Sequence, residues 1–440
     1  MTYLGNTPTT QSFISGTDYF NGTGSQTAFT LSRTVASIND IQVTVNNVVQ
    51  QPNDAYTISG TTLTMTSAPS AGTNNVYVRY LSTTTQAITP SQNTVSWNTL
   101  DSNVQGDLGI SFKNRIINGA MVIDQRNAGA SVNGNGVYTL DRWQAVNSLG
   151  TTKYTVQQNA GSVTPPVGFT NYLGVTSTSA YTVGATEYFY INQNIEGYNW
   201  ADLNWGSANA KTVTLSFWVR SSLTGTFGGS FVNWAGNRSY PFTYTISTAN
   251  TWEQKSVTVA GDITGTWAGA TNAGALQLYF SLGTGSTYSG TAGAWAGTYY
   301  GSATGATSVV GTNGATWYIT GVQLEVGTQA TTFTTAGGSY GAELALCQRY
   351  YWQCTDSVGQ SISANNITRT PISMPVVMRA APTLVSGASF TVGSGSAGTP
   401  LIFIGTGAPA TVTAVWIYNS GSAWTLGQAV SLNAGFTSEL

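Results

Sequence analysis

The chain has 440 residues, of which only 7% are charged, and its 14 Lys and Arg residues against 16 Asp and Glu residues give a net charge of −2. This balance provides no basic field for nucleic acid or for an anionic membrane surface. Aromatic residues make up 12% of the chain, which excludes disorder because disordered chains lack them. No apolar run approaches the roughly 18 residues of a membrane helix. The polar surface must therefore come from Thr, Ser, Asn and Gly, a composition typical of rigid β-rich proteins that work outside cells.

A chain of this length exceeds one hydrophobic core and predicts several domains. The strand patterns predict an all-β, multidomain protein with short helical segments between its domains. We assign a small N-terminal β-sandwich to 1–88, a linker with a short helix to 89–112, a large β-sandwich to 113–336, a hinge and short helix to 337–355, and a small C-terminal β-domain to 356–440.

The first 88 residues contain short alternating runs that predict strands. Ile41-Gln42-Val43-Thr44-Val45 alternates, and Asn46-Asn47 offers a turn before Val48-Val49. Tyr56-Thr57-Ile58 and Leu63-Thr64-Met65 flank Ser59-Gly60-Thr61-Thr62, which predicts a hairpin. Val76-Tyr77-Val78-Arg79-Tyr80 is the last predicted strand.

These runs, with Asp40 before the first and Leu81 after the last, resemble the N-terminal modules of bacteriophage tail fibres. In such fibres the N-terminal module attaches the fibre to the virion, so the resemblance implies a virion-attachment domain. The strands alone would also fit a plain β-sandwich with no partner surface.

The linker contains a helical stripe made of Trp97, Leu100, Val104 and Leu108. The segment is too short to form a stable helix by itself. Two interpretations stay open: three copies packed on a threefold axis as a trimer knot, or one helix packed on a neighbouring domain. The first makes these four residues subunit contacts.

The clearest strand of the large sandwich is the run from Lys211 to Arg220. Its apolar residues alternate with polar ones, which predicts one face in a core and one face outward. The buried side is Val213, Leu215, Phe217 and Val219. Trp218 and Arg220 are predicted to point outward, where they would form either a subunit contact or an exposed ligand face.

Four motifs across 113–336 occur in a fixed order: the opening 114–126, Leu140-Asp141-Arg142-Trp143, the strand 215–221, and Gly321-Val322-Gln323-Leu324-Glu325. Together they resemble the carbohydrate-binding-module-like jelly rolls found in many phage tail fibres. The resemblance implies a jelly roll of the galactose-binding type, although the fold alone does not imply a sugar ligand. Long Gly-rich loops at 261–272 and 283–314 are candidates to carry function.

Residues 337–355 predict a packing helix, with Leu344, Cys347, Tyr351 and Cys354 on one face. The two cysteines would lie about 10 Å apart along such a helix, too far for a disulfide. In the C-terminal domain the strand predictions are 372–378, 401–404 and 411–418, and Pro375 confines the first to an edge or a bulge.

The chain has no histidine, which removes the commonest general base and the commonest metal ligand. Glycoside hydrolysis needs only two carboxylates, and the candidates are Glu187, Glu196, Asp202, Glu253, Asp262 and Glu325. Most lie beside turns, where capping or salt pairing also explains them. We expect no catalysis, because the β-helix repeats usual in phage depolymerases are absent.

Sugar binding uses flat aromatic faces beside hydrogen-bonding side chains. The candidate aromatic residues in polar, loop-like stretches are Trp200, Trp205, Trp234, Tyr240, Trp252, Trp267, Trp295, Tyr299 and Tyr300. Each of them could equally be buried in a core or an interface. No cofactor is predicted other than a structural calcium ion, for which Asp124, Asp141 and Glu325 are the candidate oxygen ligands.

The sequence thus predicts a homotrimeric phage tail fibre, made in the host cytoplasm and assembled into the virion tail. It would bind tail or adaptor proteins by its N-terminal domain and a host surface receptor, a glycan or protein, by its jelly roll or C-terminal tip. The lack of a secretion signal after Met1 agrees with release by lysis. The alternatives are a polysaccharide depolymerase and a non-viral sugar-binding module.

Overall fold

The computed structural model describes residues 16–81, 112–151, 153–363, 367–370, 374–385, 389–392, 396–398, 415–418 and 429–440. The chain divides into two compact units, 1–96 and 97–440. The described part is all-β, with antiparallel sheets and one α-helix. None of its helices is long and apolar enough to cross a membrane. The linker stripe of Trp97, Leu100, Val104 and Leu108 lies outside the described residues, and the five domain boundaries stay predictions.

The first unit is a small sandwich of two sheets, with strand orders β1-β6-β3-β4 and β2-β5. Its strands are β1 (Thr17–Gly22), β2 (Ala28–Val35), β3 (Ile41–Val45), β4 (Val48–Val49), β5 (Tyr56–Met65) and β6 (Gly72–Tyr80). The predicted turn between β3 and β4 is confirmed, since Asn46 and Asn47 both adopt the left-handed conformation that a tight hairpin needs. Val43, Tyr56, Leu63 and Val78 are wholly buried between the sheets.

The predicted hairpin at 56–65 is wrong, because these residues form the single strand β5. Strand β5 pairs with β2 rather than with itself, and Leu63 lies opposite Phe29. Gly60 has φ +59 and lies opposite Val35, across a shift in register. Gly60 therefore provides the positive φ at an irregularity in the pairing of β5 with β2. The local sequence cannot distinguish such an irregularity from a turn.

The second unit contains a jelly-roll β-sandwich in which the chain passes repeatedly between two antiparallel sheets. The five-stranded sheet has the order β15-β12-β19-β10-β9, and the six-stranded sheet has the order β14-β13-β16-β11-β8-β7. The strands are β7 (Val137–Leu140), β8 (Trp143–Asn147), β9 (Tyr154–Gln158), β10 (Leu173–Ser177), β11 (Tyr188–Glu196), β12 (Val213–Ser221), β13 (Gly225–Asn233), β14 (Ser239–Ile246), β15 (Glu253–Val259), β16 (Gly274–Thr284) and β19 (Thr316–Val326).

Short elements complete this unit. A loop carries the two-residue strands β17 (Ser289–Gly290) and β18 (Ser302–Ala303), which pair in parallel. Single 3-10 turns occur at Ile38–Asp40 in the first unit and at Ala160–Ser162, Gly197–Asn199, Ala201–Leu203 and Ser286–Tyr288 in the second.

Strand β12 confirms the alternation predicted for it. Val213, Leu215, Phe217 and Val219 are at most 1% exposed and lie in the core between the two sheets. Burial of side chains of this size stabilises the fold by about 1.5–3 kcal/mol each. The strand is the second of five in its sheet, next to β19.

The outward residues of β12 are only half-buried, and both have partners within the chain. Arg220 donates from Nε to the carbonyl of Asn250 (3.0 Å) and lies 5.5 Å from the Tyr318 ring centroid. Trp218 lies against Gly321, where an added Cβ would be 3.2 Å from its ring. These contacts account for both residues without a second subunit, and their proposed role in subunit contact stays a prediction.

The predicted helix after the sandwich is shorter than expected. Helix α1 (Tyr340–Gln348) begins at the N-cap Ser339 and ends before Tyr351, where a strand starts. Cys354 therefore lies on a strand rather than on the helical face proposed for it. The helical pattern fails here because the wholly buried Tyr350 and the strand-forming aromatic residues after it are fixed by tertiary packing. Cys347 and Cys354 are both buried, and they form no disulfide.

The C-terminal part forms a seven-stranded sheet of order β24-β23-β26-β20-β21-β25, with β22 paired to β26. Its strands are β20 (Tyr351–Ser363), β21 (Ile367–Thr370), β22 (Thr383–Leu384), β23 (Ser389–Val392), β24 (Ser396–Gly398), β25 (Val415–Tyr418) and β26 (Ala429–Thr437). The strand predicted at 372–378 is wrong for 374–378, which is irregular around Pro375. Residues 371–373, 401–404 and 411–414 lie outside the described part, whereas Val415–Tyr418 is a strand as predicted.

Buried ion pairs join this C-terminal part to the sandwich. Glu439 is held by both Arg126, at 2.7 Å, and Arg142. Arg142 is 1% exposed, lies 3.5 Å from the Tyr350 ring centroid, and donates to the Asn194 carbonyl at 2.5 Å. Because removal of one partner leaves a buried charge unpaired, these pairs fix the C-terminal segment against β7, β8 and β11.

Candidate functional site

The structure brings five of the nine candidate aromatic residues together, and we call them the tryptophan cluster: Trp200, Trp205, Tyr240, Trp267 and Trp295. The Trp205 ring centroid lies 4.7 Å from that of Trp200, 4.9 Å from that of Trp267 and 5.1 Å from that of Trp295. Tyr240 extends the cluster at 5.2 Å from Trp295. The loops after β11 and β15 and the loop before β18 supply the four tryptophans.

Most of this cluster belongs to the core of the sandwich. Trp200 is 1% exposed and Trp205 is 6% exposed, so neither offers an open face to a ligand. Trp205 donates its ring N–H to the Lys211 carbonyl at 2.7 Å, and Trp295 donates to the Ala260 carbonyl at 2.9 Å. The cluster therefore mainly fixes the loops, although Trp267 and Trp295 are only half-buried.

An ion pair closes the edge of the tryptophan cluster. Arg238 donates to the buried Asp262 at 2.8 Å and 2.6 Å, and Trp267 donates to the same carboxylate at 3.2 Å. Burial alone would raise the pKa of Asp262, but the hydrogen bonds from Arg238, Thr264 and Trp267 lower it below its ordinary value. Asp262 is thus a fixed anion that holds two loops, which does not suit a general acid.

A second aromatic group covers the outer face of the six-stranded sheet, and we call it the tyrosine face: Tyr188, Tyr190, Tyr279, Tyr288 and Tyr299. Tyr188 stacks on Tyr190 with ring centroids 5.0 Å apart and an interplanar angle of 5°. Tyr279 lies 4.8 Å from Tyr190, and Tyr288 lies 5.3 Å from Tyr188 and 5.5 Å from Tyr299. Only Tyr299 of these five was a candidate from the sequence.

The tyrosine face arises from the alternation of strand β11. Phe189, Ile191 and Ile195 lie in the core of the sandwich, so Tyr188 and Tyr190 point to the opposite face. Tyr190 lies opposite Ser281 in the neighbouring strand β16. The run from Tyr188 to Asn194 alternates between core and outward residues. Because Tyr188, Phe189 and Tyr190 are all aromatic, the sequence does not show which of the two faces is the polar one.

Amide side chains continue the tyrosine face along the sheet. Asn192 lies opposite Tyr279, and Asn194 lies opposite Gln277, whose side chain accepts a hydrogen bond from Tyr279 at 2.7 Å. Asn192 donates to Asn194 at 3.0 Å, while its own Oδ1 is buried without a hydrogen-bond partner in the described part. Asn192 and Asn194 are at most 5% exposed, whereas Gln277 is half-buried. Gln277 and the phenols at the rim are therefore the groups that can donate to and accept from a ligand.

The loop of residues 285–307, here called the covering loop, lies over part of this face. Gly301 passes so close to the Tyr190 hydroxyl that no Cβ would fit, and Gly228 of β13 lies equally close to Ser302. Tyr190 and Tyr279 are thereby buried, whereas Tyr188, Tyr288 and Tyr299 stay half-buried at the rim. Tyr300 lies in the same loop with its ring against Gly290.

Three phenols of this face, those of Tyr190, Tyr279 and Tyr299, have raised pKa values and are neutral hydrogen-bonding groups at physiological pH. Burial raises the pKa of Tyr190 and of Tyr279 well above the ordinary value, and the proximity of the Tyr299 phenol raises it further. Burial raises the pKa of Tyr299 to about 12. The site therefore suits a neutral polyhydroxylated ligand that exchanges hydrogen bonds with hydroxyls and amides.

The two remaining aromatic candidates lie apart from both groups. Trp252 packs on Tyr172 with ring centroids 5.5 Å apart, on the side of Tyr318 in the five-stranded sheet. Trp234 is 41% exposed, and Gly274 packs directly against its ring. Neither is near another described candidate, so their role in ligand binding stays a prediction.

The candidate carboxylates are engaged by neighbouring donors. Glu187 accepts from Tyr181, and the other five form ion pairs, namely Glu196 with Arg349, Asp202 with Arg115, Glu253 with Lys255, Asp262 with Arg238 and Glu325 with Lys113. These contacts are the capping and salt pairing that the sequence analysis gave as the alternative to a catalytic role for these carboxylates.

The calcium candidates also have protein partners. Asp124 accepts from the backbone N–H groups of Asn127 and Gly129, Asp141 from Gln125, and Glu325 from Thr331. Within the described residues, no three Cys, Asp or Glu side chains are grouped as a metal site would need. A calcium site at these residues stays a prediction.

No family model and no curated protein matches the chain. Among solved structures, it is similar to the enzymatically active domain of tailspike protein 4 of bacteriophage CBA120, at 13% identity and TM-score 0.27 over 49% of this chain and 21% of that one. It is similar to a putative sugar-binding protein from Bacteroides thetaiotaomicron at 12% identity and TM-score 0.28, over 49% and 100% of the two chains. A family 11 carbohydrate-binding module from Clostridium thermocellum, in complex with a mixed-linked tetrasaccharide, follows at 10% identity and TM-score 0.24, over 46% and 97%.

The chain thus spans about a fifth of the tailspike domain's length. At these identities and TM-scores the similarities carry no functional argument. Any function has to be argued from the side chains described above.

Proposed function

We propose that this protein is a non-catalytic phage adhesion protein of the tail-fibre type, whose jelly roll binds a glycan on the tyrosine face. The observation that carries glycan binding is the combination of the half-buried phenol rings of Tyr188, Tyr288 and Tyr299 with the half-buried amide of Gln277 on one sheet face. Rings pack against sugar C–H groups, and amides and phenols bond to sugar hydroxyls.

The absence of charge on this face supports a neutral ligand surface. Its members are tyrosines, amides and small hydroxyl side chains, and burial raises the pKa of Tyr190, Tyr279 and Tyr299. The protein would act by binding alone, since each of the six candidate carboxylates is engaged by a neighbouring side chain. Attachment to the virion tail by the N-terminal unit and assembly into a homotrimer are further parts of this proposal, drawn from the sequence resemblance.

The first test is direct glycan binding. We expect the purified chain to bind bacterial surface polysaccharides on a glycan array, and Tyr288→Ala and Tyr299→Ala each to weaken binding about 3- to 10-fold, as expected for one aromatic contact of roughly 0.5–1.5 kcal/mol. The matched control is Tyr198→Ala, an exposed tyrosine outside the face, which should bind as the unchanged protein does.

Two results would contradict the proposal. Equal binding by Tyr288→Ala, Tyr299→Ala and Tyr198→Ala would exclude the tyrosine face as the site. Release of new reducing ends from a bound polysaccharide would replace binding alone by hydrolysis, and the depolymerase would become the better account.

A further inference from the structure

A cavity of about 650 Å³ lies between the sandwich and the C-terminal segment. Its volume falls within the range of roughly 300–1,000 Å³ typical of small-molecule sites. Side chains of both parts line it, among them Arg126, Tyr138, Tyr351, Arg379 and Glu439. It belongs to neither of the aromatic groups described above.

Two guanidinium groups in this cavity retain unused hydrogen-bond donors. Arg379 donates to the carbonyls of Ser438, Asn272 and Glu439 at 2.6 to 2.8 Å. These three bonds leave two of its five N–H groups unused, and no carboxylate pairs with it in the described part of the chain. Arg126 has a buried Nε without a hydrogen-bond partner, 3.8 Å from Asp141.

The negative groups nearby are already engaged. Glu439 is shared between Arg126 and Arg142, and Asp124 accepts from two backbone N–H groups. Asp141 accepts from Gln125 through both of its oxygens. Arg379 is thus the cation of this cavity that lacks a carboxylate partner among the described residues.

Aromatic rings fix the second guanidinium. Arg126 lies 3.8 Å from the Tyr351 ring centroid and 4.6 Å from the Tyr138 ring centroid. The N–H groups of Arg126 already face two carboxylates, since Nη2 donates to Glu439 at 2.7 Å and the buried Nε lies 3.8 Å from Asp141. Arg379 is therefore the guanidinium with N–H groups left for a planar acceptor such as a carboxylate. The same phenols and the neighbouring Thr and Ser side chains provide surface for a polyol.

We propose that this cavity binds a sugar residue that carries a carboxylate, with the carboxylate on the guanidinium group of Arg379, beside that of Arg126. The proposal rests on the proposed function for its choice of a sugar, and it adds a second subsite with an acidic specificity. Neutral sugar residues of a host glycan would then bind to the tyrosine face, and an acidic sugar residue of the same glycan would bind in the cavity.

The test is calorimetric titration of the full chain with glucuronate, glucose and acetate at equal ionic strength. We expect glucuronate to bind at least tenfold more tightly than either glucose or acetate, because only glucuronate combines the carboxylate with the polyol. Glucose binding as tightly as glucuronate would overturn the proposal. Acetate binding as tightly would overturn it as well, since the cavity would then select a carboxylate and not a sugar.

A steric variant locates the binding. Ala381 lines the cavity and is exposed, so Ala381→Trp should lower glucuronate affinity at least tenfold without disturbing the core, and Thr383→Trp serves as a second blocking variant. The matched control is Ala249→Trp, at an exposed alanine that does not line the cavity. Unchanged glucuronate affinity in a folded Ala381→Trp or Thr383→Trp would overturn the proposal.

The two proposals fail separately. Tyr288→Ala should weaken neutral glycan binding and leave glucuronate binding unchanged, whereas Ala381→Trp should do the reverse. Loss of glucuronate binding in Tyr288→Ala with unchanged binding in Ala381→Trp would mean that the ligand sits on the tyrosine face, which overturns the cavity site alone. Arg379→Lys, which keeps the charge and removes the planar fork, should weaken glucuronate about fivefold or more.

Discussion

Single residues show how a chain with so few charges uses them. Asp141 is 1% exposed and lies against Gln125 and Arg126. Burial raises the pKa of Asp141 to about 7, although the hydrogen bonds from Gln125 and the charge of Arg126 lower it. This carboxyl therefore changes its charge near neutral pH, inside the joint between the sandwich and the C-terminal segment.

The stability of the protein should depend on this residue between about pH 4 and pH 7. An unfolded aspartate titrates near 3.9, so in this window the folded protein holds a proton that the unfolded chain releases. The free energy of unfolding should then fall as the pH rises and level off above about pH 7. The loss should be a few kcal/mol at most, since one pKa unit corresponds to about 1.4 kcal/mol.

Urea unfolding at pH 5, 6, 7 and 8 measures this dependence. Asp141→Asn cannot titrate and should flatten the curve, while Asp202→Asn, at a half-exposed surface ion pair, should keep the slope of the unchanged protein. If Asp141→Asn retained the full slope, the pH dependence would have to come from another group, of which the buried Glu343 is the next candidate because burial raises its pKa too.

Residues of the candidate site were predictable only where they stand in loops. Tyr299 was a candidate because it lies in a polar, loop-like stretch of the sequence. Tyr188, Tyr190 and Tyr279 were missed because they lie on strands, where a tyrosine fits a core as well as a surface. Their grouping depends on the pairing of β11 with β16, some 85 residues apart in sequence, and a single sequence does not encode that register in any local pattern.

At the scale of elements, alternation predicts strands well and their partners poorly. Strand β12 and the β3–β4 hairpin can be predicted from the local sequence. Alternation of apolar and polar residues indicates a strand, and an Asn-Asn pair between two strands indicates a tight turn. The error at 56–65 has the opposite cause: Gly60 fits a turn locally, but pairing with β2 extends the strand through it. Helix α1 was overextended for a similar reason, since tertiary contacts of Tyr350 end it.

Strand β19 contains a glycine that the fold requires. Gly321 has φ +60 and lies where the register between β12 and β19 shifts. A Cβ at this position would lie 2.5 Å from the Phe169 ring and 3.2 Å from the Trp218 ring. Both the backbone conformation and the space around it therefore exclude a side chain.

We expect Gly321→Ala to destabilise the protein by about 2–5 kcal/mol. The left-handed conformation costs an alanine roughly 1–2 kcal/mol, and overpacking typically adds about 1–3 kcal/mol. Gly269→Ala is the control, because Gly269 has no neighbour within 4 Å of an added Cβ. Thermal unfolding of both variants measures the difference, and Gly321→Ala should have the lower melting temperature. Equal melting temperatures would show that the sheet relaxes around the new methyl group.

At the scale of the whole molecule, the charges are used for internal joints rather than for the surface. The ion pairs of Arg142, Arg238 and Arg349 each involve a carboxylate that is at most 7% exposed. Few charged residues remain for the outer surface, and a net charge of −2 offers little repulsion between copies. Such a surface permits close assembly of identical chains and supports repeated weak contacts with a glycan.

The oligomeric state is therefore the property of the whole molecule to measure. We expect light scattering to give three times the mass of one chain, at both 0.15 and 1 M NaCl, because a contact made by apolar and neutral polar groups is insensitive to screening. Dilution over a hundredfold range should leave the mass unchanged for a fibre subunit. A monomer under all these conditions would exclude a self-assembling fibre and favour an attached sugar-binding module. A trimer that dissociates in 1 M NaCl would instead place charged residues such as Arg220 in the subunit contact.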